Sequence, residues 1–210
     1  MRFDLDKTEA SITYKLLAAS VVPRPIAWTV TLDKQGGINA APFSFFNVMG
    51  SVPPIVALGI IGDKQKGFKD SARNIMDTGE FVVNLVPVSL VEKMNLTSID
   101  APTGLNELEL AGLTAAKSEH VKPPRIAESP VSFECINHAA VVTGPHQVLV
   151  IGRVLAIHIK DEFLIDAERG HVDTLKLDLV ARTFGSGFAR IGEPFDLVRP
   201  SWKDWQDKKS

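Results

Sequence analysis

Apolar residues come in short runs broken by Gly, Pro, Asn and Asp, the rhythm of strands and turns rather than of long helices. Thr8–Ser20 carries Ile12, Leu16 and Leu17 with Tyr14 beside them, a short amphipathic pattern that predicts a helix leading into the first strand. Val21–Leu32 is rich in β-branched and aromatic residues but contains Pro23 and Pro25. A proline cannot donate to a ladder, so these belong at the strand's start or on an edge. The polar link Asp33-Lys34-Gln35-Gly36-Gly37 predicts a hairpin into a strand from Ile38 to Val48. Ile55–Ile61, nearly all apolar, reads as a strand covered on both faces. Asp70 predicts the N-cap of a helix over 71–78, with Ala72, Ile75 and Met76 inward and Gly79 as its stop. Phe81–Val86 follows as a strand, and Ser89 caps a second short helix carrying Leu90, Val91 and Met94. Ala101–Pro130 is turn-rich, with one helical turn around Leu105–Leu110. Val131–His138, Ala139–Thr143 and Gln147–Lys160 read as strands, and the tail from Pro194 is polar with Phe195, Trp202 and Trp205. Short strands with few short helices predict a mainly β fold, an antiparallel barrel, rather than a βαβ sheet. Composition does not change across the turn-rich stretch, so one domain over residues 1–210 is expected.

The 210 residues are 45% hydrophobic and 23% charged, enough chain for one substantial core. Lys and Arg number 23 against 25 Asp and Glu, a net charge of −2, so no basic field points to nucleic acid or to an anionic membrane. The lone Cys135 excludes an intrachain disulfide and a multi-cysteine metal site. Val52–Ile61 is too short for a membrane span, and the early acids Asp4 and Asp6 do not suit a signal peptide, so a soluble cytoplasmic protein is expected.

No paired-histidine metal spacing, GxSxG elbow or phosphate-binding GxxxxGK[ST] loop occurs. Gly185-Ser186-Gly187 begins like a dinucleotide fingerprint but has Arg190 at the third glycine position. An enzyme with this sequence would take its reactive centre from a cofactor. Asn39-Ala40-Ala41-Pro42-Phe43-Ser44-Phe45-Phe46-Asn47 combines small residues, a mid-strand proline, aromatics and hydrogen-bonding side chains. Exposed backbone at such an edge could pair with a planar heteroaromatic. Core packing accounts as well for Phe43 and Phe45 taken singly, but less well for Pro42, Ser44 and Asn47. Lys69-Asp70-Ser71-Ala72-Arg73-Asn74 reads either as a phosphate seat at a helix start or as a solvated, capped turn. Arg24, between two prolines, is a second phosphate contact or a surface cation. His146 stands in the turn before the long strand, and Arg182 and Arg190 flank the glycine pair; for all three a solvated surface role is the plainer reading.

These segments together resemble the flavin reductase-like family of FMN-binding split barrels, which includes the reductase components of two-component monooxygenases. The matching pieces are Val22-Pro23-Arg24-Pro25-Ile26-Ala27-Trp28, Asn39-Ala40-Ala41-Pro42-Phe43-Ser44 and Pro53-Pro54. Lys69-Asp70-Ser71 with Asn74-Ile75, Gly79–Asn84, Gly144-Pro145-His146, Ile151–Val154 and Arg182 with Gly185–Phe188 complete them, over residues 15–195. The resemblance implies an antiparallel split β-barrel with a few short helices, a homodimer with FMN near the subunit interface, and NADH or NADPH as hydride donor. A partner monooxygenase would consume the reduced flavin. It assigns Arg24, Thr31, Asn39, Ala41, Pro42, Ser44, Phe45 and Asn47 to the cofactor along the barrel rim. Lys69, Ser71 and Asn74 fall towards the phosphate, His146 beside the nicotinamide and Arg190 by the glycine pair. No side chain is assigned to catalysis and no metal is implied, because hydride delivery to flavin N5 needs stacking geometry rather than a protein base. Val30 and Phe188 depart from the hydroxyl residues common in relatives. An FMN-binding electron carrier or storage protein without a nicotinamide site remains the alternative, and a flavin-free interaction module the third.

Overall fold

Short β-branched and apolar strand runs pair here into a sheet that bends round on itself. The computed structural model describes residues 1–207; the last three positions of the expected domain lie outside them. Helix α1 (Ala10–Ser20) precedes β1 (Arg24–Pro25), β2 (Ala27–Leu32), β3 (Ile38–Phe43), β4 (Phe46–Ser51) and β5 (Pro54–Ile61). Next come α2 (Asp70–Thr78), β6 (Glu80–Asn84), α3 (Val91–Leu96), α4 (Glu107–Leu110), β7 (Ala115–Ala116) and β8 (Arg125–Ile126). The long hairpin β9 (Val131–Gly144) and β10 (Gln147–Ile159) leads to β11 (Leu164–Asp166), β12 (His171–Val172), β13 (Val180–Arg182), β14 (Phe188–Arg190) and α5 (Trp202–Asp207). No helix among the described residues is long and apolar enough to cross a membrane.

Seven antiparallel strands run in the order β3-β2-β6-β9-β10-β5-β4. The two outermost strands are consecutive in the chain, joined only by Ser44 and Phe45, so the sheet curls until its edges meet at that corner. No ladder joins β3 to β4 there; instead the Gly59 N–H donates to the Phe45 carbonyl at 2.7 Å. The result is a split antiparallel barrel, mainly β with short helices. A small second sheet, β1-β13-β14, sets Arg24 opposite Arg182 and Arg182 opposite Phe188.

Strands β2 and β6 are covered on both faces, and the alternation of their side chains divides the interior. Trp28, Val30 and Val82 face an outer core with Met94, Leu108 and Val180. Ala27, Phe81 and Val83 face the barrel interior, where Leu58, Val148, Val150 and Ile75 of α2 meet them. A Cβ at Gly152 would lie 2.3 Å from Phe81 Cζ, so only glycine lets that ring fill the barrel.

Several expected elements change. The strand expected from Ile38 to Val48 breaks at Ser44-Phe45, because one chain segment has to supply both edges of the sheet. The strand expected over Val21–Leu32 divides around Ile26 into β1 and β2, which belong to different sheets. Asp70 does not cap α2: Lys69 holds the N-cap position without a side-chain hydrogen bond, and Asp70, already helical, pairs with Arg73. Gly79 does stop that helix, in the left-handed region at φ 76° with its N–H on Ile75 O. Ser89 lies inside a 3-10 turn, Val88–Leu90, instead of capping α3. The two strands expected over Val131–Thr143 are one, β9.

Buried polar groups tie the turn-rich excursion to the barrel. Asn84 donates to Trp28 O at 3.0 Å and accepts from Ile126 N–H at 3.0 Å and Ser132 Oγ at 2.8 Å. The fully buried Glu134 accepts from the N–H groups of Glu119 (2.8 Å) and His120 (2.6 Å), with His158 Nε2 at 2.6 Å. Burial would raise its carboxyl, but the two amides and the imidazole outweigh that and hold it below the ordinary glutamate value. A lowered folded-state value means the stabilisation is complete above the unfolded glutamate pKa of about 4.3 and is lost as pH falls through the folded value. Glu134→Ala is expected to cost about 3–5 kcal/mol in urea unfolding. Glu134→Gln should flatten the acid limb of the stability–pH curve; matching acid limbs in variant and wild type would refute this account.

Candidate functional site

The corner where the sheet edges meet is also where the molecule is hollow. A cleft of about 250 Å³ opens over Ser44, Phe45 and Gly59, with Ile26 and Met94 among its apolar lining. Tyr14 of α1 stands at one side, its ring centroid 5.9 Å from that of Phe45. Arg182 and Phe188 stand at another, the guanidinium carbon 4.5 Å from the ring centroid. A second cavity of about 120 Å³ adjoins it, sharing Pro42, Phe43 and Ser98, and runs along β3 to the start of α2.

At that far end the chemistry changes from aromatic to polar. Lys69, Ser71, Asn39 and Ala41 line the second cavity. Asn39 Nδ2 donates to Ser71 Oγ at 2.8 Å, and below them Asn74 Nδ2 donates to Thr31 Oγ1 at 3.0 Å. Ser71, Asn74 and Thr31 are buried. With no side chain capping α2, its first-turn amides are left to meet an acceptor from outside, beside the Lys69 cation. Glu107 lines the same cavity, buried, its Oε2 accepting the Ala40 N–H at 2.9 Å. Burial pushes its carboxyl above the ordinary value, against the pull of that amide.

The sequence-derived residues therefore divide. Pro42, Ser44 and Phe45 line the first cleft; Asn39, Ala41, Pro42, Lys69 and Ser71 line the second; Thr31 and Asn74 support it from below. Arg24 is neither a surface cation nor available to a phosphate. It is buried, with Nη1 donating to the carbonyls of Ala18 and of Val21 (3.1 Å), Nη2 to Thr183 O (3.0 Å) and Nε to Ser44 Oγ (3.3 Å). Its guanidinium also lies 5.8 Å from the Phe45 ring centroid. Asn47 is exposed on β4, its side-chain oxygen taken by the Val48 N–H at 2.8 Å, and lines neither cavity. His146 sits in the β9–β10 turn, where its carbonyl accepts the Gly62 N–H at 2.6 Å; it too lines neither. Arg190 is exposed and pairs with Asp178 at 3.5 Å, outside both.

Sequence reasoning missed Tyr14, Asn95, Ser98 and Glu107. Tyr14, the protein's single tyrosine, was legible only as one position of an amphipathic stripe. The glycine pair marks Arg182 and Phe188, but the resemblance points to Arg190 in place of Arg182. Phe188 and Arg182 face each other across the β13–β14 pair, whereas Arg190 lies at its outer end opposite Val180.

Residues 19–175 match the family described as the flavin reductase like domain. An uncharacterized protein of Deinococcus radiodurans is 41% identical, covering 98% of this chain and 92% of its own. Among solved structures, nitrilotriacetate monooxygenase component B from Bacillus cereus is 32% identical with a TM-score of 0.88, covering 94% of this chain and 98% of its own. The 2-nitrobenzoate 2-nitroreductase NbaA of Pseudomonas fluorescens is 29% identical with a TM-score of 0.86, covering 96% and 98%. A corner cleft in a split barrel, continued along an open strand edge to an uncapped helix, thus stands in a chain that belongs to the flavin reductase-like family.

Proposed function

We propose that this single-domain protein binds FMN in the two joined cavities and works as a flavin reductase, with NADH or NADPH as the electron source. The observation that carries this is the continuity of an aromatic cleft and a polar seat along β3, through the shared Pro42, Phe43 and Ser98. Bound FMN supplies the two-electron acceptor that no side chain of the chain provides. The residues present fit that group. Tyr14 and Phe45 offer ring faces, and Ser44 a hydroxyl, at one end. Lys69, the Ser71 hydroxyl and the free amides of α2 offer an anion seat at the other. β3 is an edge strand beside the cavities, but Pro42 has no N–H and Glu107 takes that of Ala40, so what its open edge leaves there is chiefly carbonyl oxygen. The chain's own part is then to bind, orient and shield, since hydride transfer depends on alignment more than on a protein acid or base.

A second reading, a flavin carrier reduced by a protein partner, draws on one observation: His146, the residue expected beside the nicotinamide, lines neither cavity. A monooxygenase is the proposed consumer of reduced flavin, in keeping with the component B relative. A homodimer is proposed from the exposed apolar side chains of β4, β9 and β10, among them Met49, Val141, Val142 and Ile157.

FMN should quench on titration into the purified protein. Ser44→Phe, filling the corner cleft, should abolish that binding while circular dichroism stays that of wild type; FMN bound as before would contradict the placement. Ser71→Glu should weaken FMN roughly tenfold or more by setting a carboxylate against its phosphate. Stopped-flow mixing of the FMN-loaded protein with NADH and with NADPH separates the two readings. Reduction by either, with a His146→Ala rate near wild type, keeps the reductase reading without a role for that residue; no reduction by either leaves the carrier. Sedimentation equilibrium should give twice the chain mass, and a Met49→Glu/Val142→Glu double variant should shift it to the monomer; a monomeric wild type would remove the dimer.

A further inference from the structure

Of the described residues that line the corner cleft, Arg182 carries the only charge, and none is an acid. Its position is fixed from two sides. Strand register sets it across from Phe188, the guanidinium carbon 4.5 Å from that ring's centroid, and Nη2 donates to Gly185 O at 2.6 Å. Among the described residues Nε and Nη1 have no acceptor, and no carboxylate pairs with the group. The nearby Arg190, on the same small sheet, does have its acid in Asp178. A half-buried guanidinium with unused donors, held over an aromatic face, is a preformed fork for a planar anion. With Tyr14, Phe45 and Ser44 given to the flavin, the lining still holds Phe188 for ring surface and Asn95 and Ser98 as neutral polar groups for such a ligand.

We infer that Arg182 is the anion-recognition residue of this cleft and that the ligand it selects is a planar aromatic carboxylate. The carboxylate meets the Arg182 fork while the ring lies against Phe188. This deepens the proposed function, since the acid would occupy the cleft beside the flavin and so be the class of small molecule that the reduced cofactor meets. Lysine in this position would keep the charge but lose the fork, and glutamine would keep neither.

The test is calorimetric titration of the full chain, FMN-loaded and FMN-free, with benzoate, with benzamide as its neutral isostere, and with ADP-ribose as a source of dinucleotide phosphate. Wild type should bind benzoate at least tenfold more tightly than benzamide; Arg182→Gln should erase that ratio and Arg182→Lys should retain part of it. Equal binding of benzoate and benzamide by wild type, or a ratio that survives in Arg182→Gln, overturns the assignment. So does ADP-ribose binding that outcompetes benzoate and disappears with Arg182, because the fork would then serve a phosphate. A tenfold loss of FMN affinity in Arg182→Gln would hand the residue to the flavin and likewise overturn it. If FMN does not bind wild type at all, the flavin reading falls by itself, and the benzoate ratio on the flavin-free protein still decides the role of Arg182.

Discussion

The buried Arg24 guanidinium holds together the corner on which the cleft depends. Among the described residues it has no carboxylate partner. Its charge is met instead by carbonyl dipoles: those of Ala18 and Val21 at the end of α1, where the helix is partially negative, and that of Thr183 in the turn between β13 and β14. The remaining donor reaches Ser44, and the π face of Phe45 lies beside the cation. One side chain thereby fixes the helix that supplies Tyr14, the hairpin that supplies Arg182 and Phe188, and the bend that joins the sheet's edges. The prolines on either side of Arg24 keep its backbone from joining a longer strand, which leaves the side chain free to turn inward.

The seam between β3 and β4 explains why the hollow lies here. A fully closed barrel would pair those edges and fill the corner with ladder hydrogen bonds. In this chain Pro42 lacks a donor, Glu107 takes the Ala40 amide, and Gly59 accepts Phe45 into the space a side chain would need; a Cβ there would come within 3.1 Å of Phe45 Cβ. Each departure from regular pairing leaves room or an unpaired polar group, and both cavities are built from these departures.

Most of the barrel was legible from short β-branched and apolar runs set between turn residues: β2, β5 and β6 are buried through most of their length, while β10 alternates. What misled was anything decided by distant partners. The break at Ser44-Phe45 has no glycine to mark it and follows from the sheet's closure. Asp70 has the right chemistry for a cap but enters the helix, because Arg73 one turn on claims its carboxylate. Arg24 could not be placed by local reasoning at all, since its partners are the backbone of residues 18, 21 and 183, which carry no side-chain signal. The seat at α2 was legible because Lys69, Ser71 and Asn74 are close in sequence; the aromatic end was not, because Tyr14, Phe45 and Phe188 are far apart. Of the two arginines flanking the glycine pair, only register separates the one that faces the cleft from the one that faces solvent.

The wide sequence separation of Tyr14, Ser44, Ser71 and Phe188 has a consequence for how this molecule comes into being. No short fragment of the chain contains the hollow, and a ribosome must release the polypeptide through Arg190 before its last wall, the β13–β14 hairpin, can be laid. An occupant that bridges these walls fastens the amino-terminal helix to the carboxy-terminal hairpin, so its free energy of binding is added to the cohesion of the entire molecule rather than to one loop.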